Sequence, residues 1–161
     1  VDMLGKQGEG SKIIAKAWTD GAFKQKLLRN ATEACADLGI TASNTTTSTV
    51  LTAVENTEDV HNLIVCTLCS CYPLTILGLS PPWYKSRAYR AQAVRKPREM
   101  LKSTFGLDIP SNVSIRVHDS TADLRYIVIP KRPKGTESWT EEDLQHIVTR
   151  DCLIGVAIPR M

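Results

Sequence analysis

Three of the chain's five cysteines fall within the run Cys66-Thr67-Leu68-Cys69-Ser70-Cys71, and soft donors at that density invite a metal. Cys69 and Cys71 flank a single residue, so both sulfurs can face one ion only if the backbone between them faces it too. The backbone then brings donors of its own. The amide nitrogen and sulfur of Cys71 close a five-membered chelate ring. The amide nitrogens of Ser70 and Cys71 close another, and Ser70 nitrogen with the Cys69 sulfur closes a six-membered one. Two thiolates and two deprotonated amides make a square plane, Cys66 reaches an axial position, and a sixth position stays open. Such strong-field donors suit low-spin trivalent cobalt or iron better than zinc. Spacing alone leaves other readings open. Zinc wants four tetrahedral ligands, with His61 the nearest candidate fourth. A thioredoxin-like Cys-x-x-Cys would not need Cys71, and the thiols could simply be buried and structural.

The elements around this run must hold it. Val1 to Ser11 is Gly-rich and polar, an arm. From Ser11 to about Leu38 the spacing is helical through Ile14, Ala17 and Trp18, is broken at Asp20-Gly21, and resumes with Phe23, Leu27, Leu28 and Ala31. Cys35 lies on the apolar side of that second helix, and Gly39 reads as its C-cap. The Thr/Ser-rich residues 41–49 read as an extended surface loop. Val50 to Val54 and Leu63 to Val65 read as short strands leading into the cysteines. Glu55 and His61 nearby read as a solvated turn carboxylate and a structural histidine, with an outer hydrogen-bond network around a metal as the functional alternative.

Past the cysteines, Ser86 caps a basic helix running to about Arg95, and Pro97 opens another that ends near Gly106. Most of the arginines at 87, 90, 95 and 98 read as a solvated or interface face, with phosphate binding the alternative. Val113, Ile115 and Val117 alternate with polar residues as in a half-buried strand. Arg125 to Pro130 and Leu153 to Ile158 are read as two more strands, with Cys152 in the core at the start of the last. Thr140 and Asp143 form a capping-box pattern opening a helix that buries Leu144, Ile147 and Val148 and exposes His146. Helices first, then strands with helices between, describe a layered α+β domain.

Bulk properties narrow the function. A chain of 161 residues is long enough for one domain with a core. The net charge of +3, from 20 basic and 17 acidic residues without a long block of one sign, is not a nucleic-acid footprint. No apolar run approaches ~18 residues, so no membrane partner is expected. No charged-then-apolar leader is visible, and the odd cysteine count argues against a disulfide framework. A cytoplasmic location is therefore expected. The chain opens at Val1 rather than Met, which leaves room for an upstream segment.

The run from Cys66 to Pro73 resembles the metal-binding loop of the nitrile hydratase alpha subunit. Val54-Glu55-Asn56-Thr57, Val60-His61-Asn62 and Pro82-Trp83-Tyr84-Lys85 agree with it. So do Arg116 to Ser120, Arg125-Tyr126, Arg132-Pro133, Gly135-Thr136 and Thr149 to Val156, and the similarity extends from about Lys12 to Pro159. In that family Thr at the second loop position and Tyr after the last Cys accompany cobalt, whereas Ser and Thr there accompany iron. Thr67 and Tyr72 thus imply Co(III), with iron the lesser choice. The resemblance implies a four-layered α/β/β/α domain with a helical N-terminal arm, residues 1–40 forming the arm and helices and 41–161 the metal-binding catalytic domain, as a single functional unit. It implies Cys66 as axial thiolate, with Cys69, Ser70 and Cys71 in the plane and also catalytic. Cys69 is expected as a sulfinate and Cys71 as a sulfenate.

It further implies a beta subunit that supplies arginines to the oxidised sulfurs in a heterodimer or heterotetramer, a metallochaperone or activator protein, and a small nitrile substrate hydrated to its amide. Two alternatives compete. The thiocyanate hydrolase gamma subunit shares the loop and the Arg150-to-Val156 tail but typically has Arg at the position of Leu74. A non-catalytic metal or redox module is the other. One departure predicts specificity: many cobalt-type relatives place Trp-Pro where this chain has Leu74-Thr75. Without an indole beside the metal the pocket should be wider. Steady-state kinetics across a nitrile size series should favour substrates bulkier than acrylonitrile, and Leu74→Trp should shift kcat/KM back toward the small ones.

Overall fold

The computed structural model of the chain describes residues 9–40, 50–66, 74–77, 80–121 and 123–161. The expected arm up to residue 8 and the Thr/Ser-rich run 41–49 lie outside the described residues. In chain order the elements are α1 (Gly10–Thr19), α2 (Gly21–Arg29), α3 (Ala31–Asp37), β1 (Val50–Glu55), β2 (Val60–Val65) and α4 (Leu74–Leu77). A 3-10 turn (Pro82–Lys85), α5 (Arg87–Arg95), α6 (Pro97–Phe105), β3 (Ser114–Asp119), β4 (Leu124–Ile129), α7 (Glu141–Gln145) and α8 (Arg150–Ile154) follow.

Local chemistry explains most boundaries. Asp20 Oδ1 accepts from Phe23 N at 3.1 Å and starts α2. The apolar spacing predicts one helix from Phe23 onward, but Asn30 divides it: its Oδ1 accepts from Glu33 N at 3.1 Å and caps α3. A side-chain amide that can serve a backbone N–H offers the chain an exit from the helix, which periodicity does not register. Gly39, at φ +73°, closes α3 as expected. Ile40 N donates to Cys35 O and Gly39 N to Ala36 O, both at 2.9 Å, the paired bonds of a Schellman motif. Ser86 caps α5 through Tyr89 N at 3.1 Å, and Pro97 occupies the tolerated first turn of α6. The capping box at α7 forms in both directions, Asp143 N to Thr140 Oγ1 at 3.2 Å and Thr140 N to Asp143 Oδ2 at 3.1 Å. That helix ends at Gln145, so Ile147 and Val148 pack from the segment beyond it.

The strands pair in two parallel ladders, β1 with β4 and β2 with β3. Val50 faces Leu124 and Glu55 faces Ile129 in the first, and Val60 faces Ser114 and Val65 faces Asp119 in the second. Ile13, Leu27 and Cys35 of the N-terminal helices share one buried cluster with Leu51, Leu63, Ile127 and Leu153. Helices packed on short parallel strands make this an α+β domain.

One expected strand is a helix. Leu153 to Ile158 does not form a strand; α8 spans Arg150–Ile154 and stops at Gly155, φ +99°. Gly155 N and Val156 N both donate to Asp151 O, at 3.0 and 3.1 Å. A short run that is apolar all round looks the same whether it is a core strand or a core helix, because neither imposes a period when every side is buried. Cys152 nevertheless lies in the core as expected, 1% exposed.

Candidate metal centre

Cys66 directly follows β2 and is 1% exposed. Cys69, Ser70 and Cys71, the other expected donors, lie outside the described residues, as do Thr67 and Tyr72. The end of β3 arrives beside Cys66, because Ser120 N donates to Val65 O at 2.7 Å and carries the ladder one step past Asp119. Tyr84, from the 3-10 turn and 2% exposed, faces this junction. Burial raises the pKa of its phenol, the neighbouring Cys66 and Asp119 add to the rise, and Arg125 and the Ser120 hydroxyl oppose it. Tyr84 is therefore a protonated hydroxyl at neutral pH. Trp83 packs its ring 4.8 Å from Tyr89 and 4.9 Å from Phe105, edge to face in both cases, and walls this side with aromatic carbon.

β2 is held on both edges. Ser114 N donates to Asp59 O and Ser120 N to Val65 O, so in a parallel ladder the odd-numbered residues of β2 turn their peptide groups to β3 and the even-numbered ones turn away. Those outward groups find partners from other elements. Tyr89 Oη donates to Ile64 O at 2.6 Å, and Asn62 N donates to Asn56 Oδ1 at 2.7 Å. Tyr89→Phe should keep the ring in its cluster but leave a buried carbonyl without that donor, costing about 1–3 kcal/mol. Urea denaturation of both forms measures it, and an unchanged midpoint would mean water serves Ile64 O instead.

The Asn62 side chain ties three segments. Its Nδ2 donates to Glu55 O at 2.9 Å and to Asn56 Oδ1 at 3.0 Å, and its Oδ1 accepts from His118 Nε2 at 2.8 Å. His61 is locked between two further partners: Nε2 donates to Gly155 O at 2.6 Å, and Nδ1 accepts from Asn56 Nδ2 at 3.4 Å. With both ring nitrogens committed, His61 is the structural histidine expected and does not serve as the fourth ligand of a zinc site. Glu55 ends β1 rather than sitting in a turn, and pairs with Lys24 at 2.6 Å.

Burial lowers the pKa of His61, with the Gly155 carbonyl opposing, and burial followed by the Arg116 charge lowers that of His118. Both are protonated more readily when the chain unfolds. Their neutral forms therefore contribute stability fully above the unfolded value of about 6.5, and that contribution is lost as pH falls toward the folded values. The metal-free chain should show a falling urea midpoint from pH 7.5 to pH 5.5. His61→Gln should flatten this slope; an unaltered slope would assign the loss to other groups.

The remaining described cysteines are buried thiols. Burial pushes the Cys35 thiol up to about 11 and also raises Cys152, which rests 3.3 Å from Thr149 Oγ1. Among the described residues no group of three or more His, Cys, Asp or Glu could hold a metal. Cys69, Ser70 and Cys71, which lie outside the described residues, are the donors expected from the sequence to complete a thiolate-and-amide set with Cys66.

The described residues form an α+β domain with a buried cysteine at the end of β2, and Cys69 and Cys71 follow it in the sequence. The family model for the nitrile hydratase alpha chain matches residues 2–157, and the chain belongs to that family. It is 55% identical over 150 residues to the low-molecular weight cobalt-containing nitrile hydratase subunit alpha of Rhodococcus rhodochrous, covering 93% of this chain and 70% of that one. An Fe-type nitrile hydratase of Comamonas testosteroni Ni1, solved as a double mutant, superposes with TM-score 0.91 at 45% identity, over 98% of this chain and 77% of the other. A recombinant thiocyanate hydrolase with partially modified cobalt centres superposes with TM-score 0.89 at 44% identity, over 99% and 77%.

Sequence reasoning assigned no role to Tyr84, Tyr89, Asn56, Asn62, Ser120 or Gly155. A usable signal existed for Ser120 alone. Parallel strands end at one edge, so the residue after an alternating strand is a neighbour of whatever follows its partner. The others act across elements distant in sequence.

Proposed function

We propose that this chain is the alpha subunit of a cobalt nitrile hydratase, hydrating a nitrile to its amide at a trivalent ion held by Cys66, Cys69, Ser70 and Cys71. The observation that carries it is the single donor run: Cys66 sits buried at the end of β2, and Cys69 and Cys71 follow it within five residues of the sequence. Thr67, Tyr72 and the cobalt in the name of the Rhodococcus rhodochrous relative favour cobalt; the Fe-type relative keeps iron as the second choice. Bound there, the ion supplies Lewis acidity toward the nitrile and toward water.

The chain's own residues do the rest. Cys66 approaches from the protein side, where Tyr84 and the aromatic wall keep water out. Cys69 as sulfinate and Cys71 as sulfenate present acceptor oxygens to arginines of a beta subunit. The Ser70 hydroxyl would orient water or substrate beside the ion. Residues 1–40 form the arm and helical part, and residues 41–161 the metal-binding part, of a four-layered α/β/β/α subunit that works in the cytoplasm after loading by an activator protein. Among the described residues no helix is long and apolar enough to cross a membrane. Thiocyanate hydrolysis is the second reading, favoured by the thiocyanate hydrolase likeness and opposed by Leu74, where that family carries Arg.

The test is metal analysis and intact mass of the chain co-produced with its beta subunit in cobalt-supplemented cells. One cobalt, two oxygens added to Cys69 and one to Cys71, and amide formed from a nitrile are expected. A tetrahedral zinc and unoxidised thiols would overturn the proposal, and carbonyl sulfide released from thiocyanate would favour the second reading.

A further inference from the structure

Helix α5 is amphipathic in an unusual way. Tyr89 and Ala93 are its buried side. The opposite side carries Arg87, Arg90, Ala91, Val94 and Arg95, spaced as one continuous stripe, and these five line an open concavity of about 460 Å³. No acidic residue lies on α5. Several cations on the N-terminal helices are paired: Lys12 with Glu9 at 3.0 Å, Lys16 with Asp20 at 3.3 Å, and Lys26 with Asp37. Among the described residues none of these three arginines has such a partner, and Arg90 Nε is buried without an acceptor. Val94 is 54% exposed in their midst.

This face opposes folding of the isolated chain. Arg87 and Arg90 stand in the first turn of α5, where the helix dipole disfavours cations. Like charges one turn apart repel, and exposed valine beside them gains nothing from water. Arg98, one turn further on, shows what an arginine does here when the fold uses it: its guanidinium binds the carbonyls of Ile109, Pro110 and Val113 at 2.8, 2.7 and 2.6 Å. Among the described residues the other three have no carboxylate partner. Guanidinium forks that match carboxylates, around an apolar contact, are the composition of a protein interface.

We infer that this α5 face docks an acidic segment of the partner subunit. The occupant bears carboxylates that meet Arg87, Arg90 and Arg95 across about 12 Å, two helical turns, with an apolar side chain between them that covers Val94. This rests on the heteromeric reading above. It identifies a cluster that anchors a larger contact.

The test measures association of the full-length chain with its beta subunit by sedimentation or surface binding, at low and high salt. The triple charge reversal R87E/R90E/R95E should weaken association by about a hundredfold and invert its salt dependence, since added salt then screens repulsion, with the circular dichroism of the full chain unchanged. The triple lysine variant, R87K/R90K/R95K, should fall between, because lysine keeps the charge and loses the fork. Should the reversal fail to fold, Val94→Asp alone must weaken association. A wild-type chain that binds, with charge-reversed and Val94→Asp variants that bind equally well, overturns the arginine face and leaves the metal-site proposal standing. A wild-type chain that captures no beta subunit overturns the heteromer and this inference together.

Discussion

Replacing Gly155 by alanine should destabilise the chain by more than about 4 kcal/mol, the exceptional end of single substitutions. Two independent penalties combine. The residue sits at φ +99°, where a side chain is strained wherever it points. A Cβ there would also lie 2.1 Å from Asn62 O and 3.0 Å from Leu63 Cα. Both are backbone atoms of β2, so no rotamer change relieves the overlap: either α8 or the strand must move. Native stability is only ~5–15 kcal/mol, so much of it would go. The strand that yields ends at Cys66, and the His61 bond to Gly155 O would be lost with the shift. Metal uptake should therefore fall alongside stability.

Gly39 and Gly106 are the controls. Both have positive φ, at +73° and +66°, but among the described residues nothing lies within 4 Å of a Cβ at either. Alanine there should cost only the backbone strain, about 1–2 kcal/mol. Urea denaturation of the three variants decides between strain and contact. Equal losses at all three positions would mean that the close approach of α8 to β2 contributes nothing.

The second large effect concerns the cysteines, and it separates a ligand from its look-alikes. Cys66, Cys35 and Cys152 are all buried, at 1%, 0% and 1% exposure, so accessibility does not distinguish them. Cys66→Ala should abolish cobalt retention and lower nitrile hydration by more than the ~100-fold that loss of an outer-shell partner costs. Cys35→Ala and Cys152→Ala should retain full metal content and oxidised cysteines, and lose stability modestly, about 1 kcal/mol, as small apolar groups leave a packed core. Metal analysis with intact mass on the three purified heteromers reads this directly. Full cobalt in the Cys66 variant would remove Cys66 from the ligand set; loss of cobalt on changing Cys152 would mean α8 holds a ligand.

Some of the fold was legible because its causes are local. Ser86, Pro97, Gly39 and the Thr140–Asp143 pair each act on a backbone group within a few residues, so their effect on helix ends is written in adjacent letters. Alternation at Val113, Ile115 and Val117 marked β3 for the same reason. The reading failed at Leu153 to Ile158, where burial on every side erases the period, and at Asn30, where one amide outweighs a continuous apolar face.

The proposed donor set was read from the sequence alone. Chelate rings closed by neighbouring residues depend on covalent geometry, so the proposal for Cys66, Cys69, Ser70 and Cys71 needs only adjacent residues, while the choice of this reading over zinc or structural thiols came from the family resemblance. What supports that run had to await the tertiary structure. Parallel pairing sets Val65 beside Asp119, aromatic packing brings Tyr84 and Tyr89 against β2, and an approach tight enough to exclude a methyl group seats Gly155 on Asn62. These contacts join segments far apart in the chain, and their energy comes from burial shared among many residues, so no short stretch encodes any one of them.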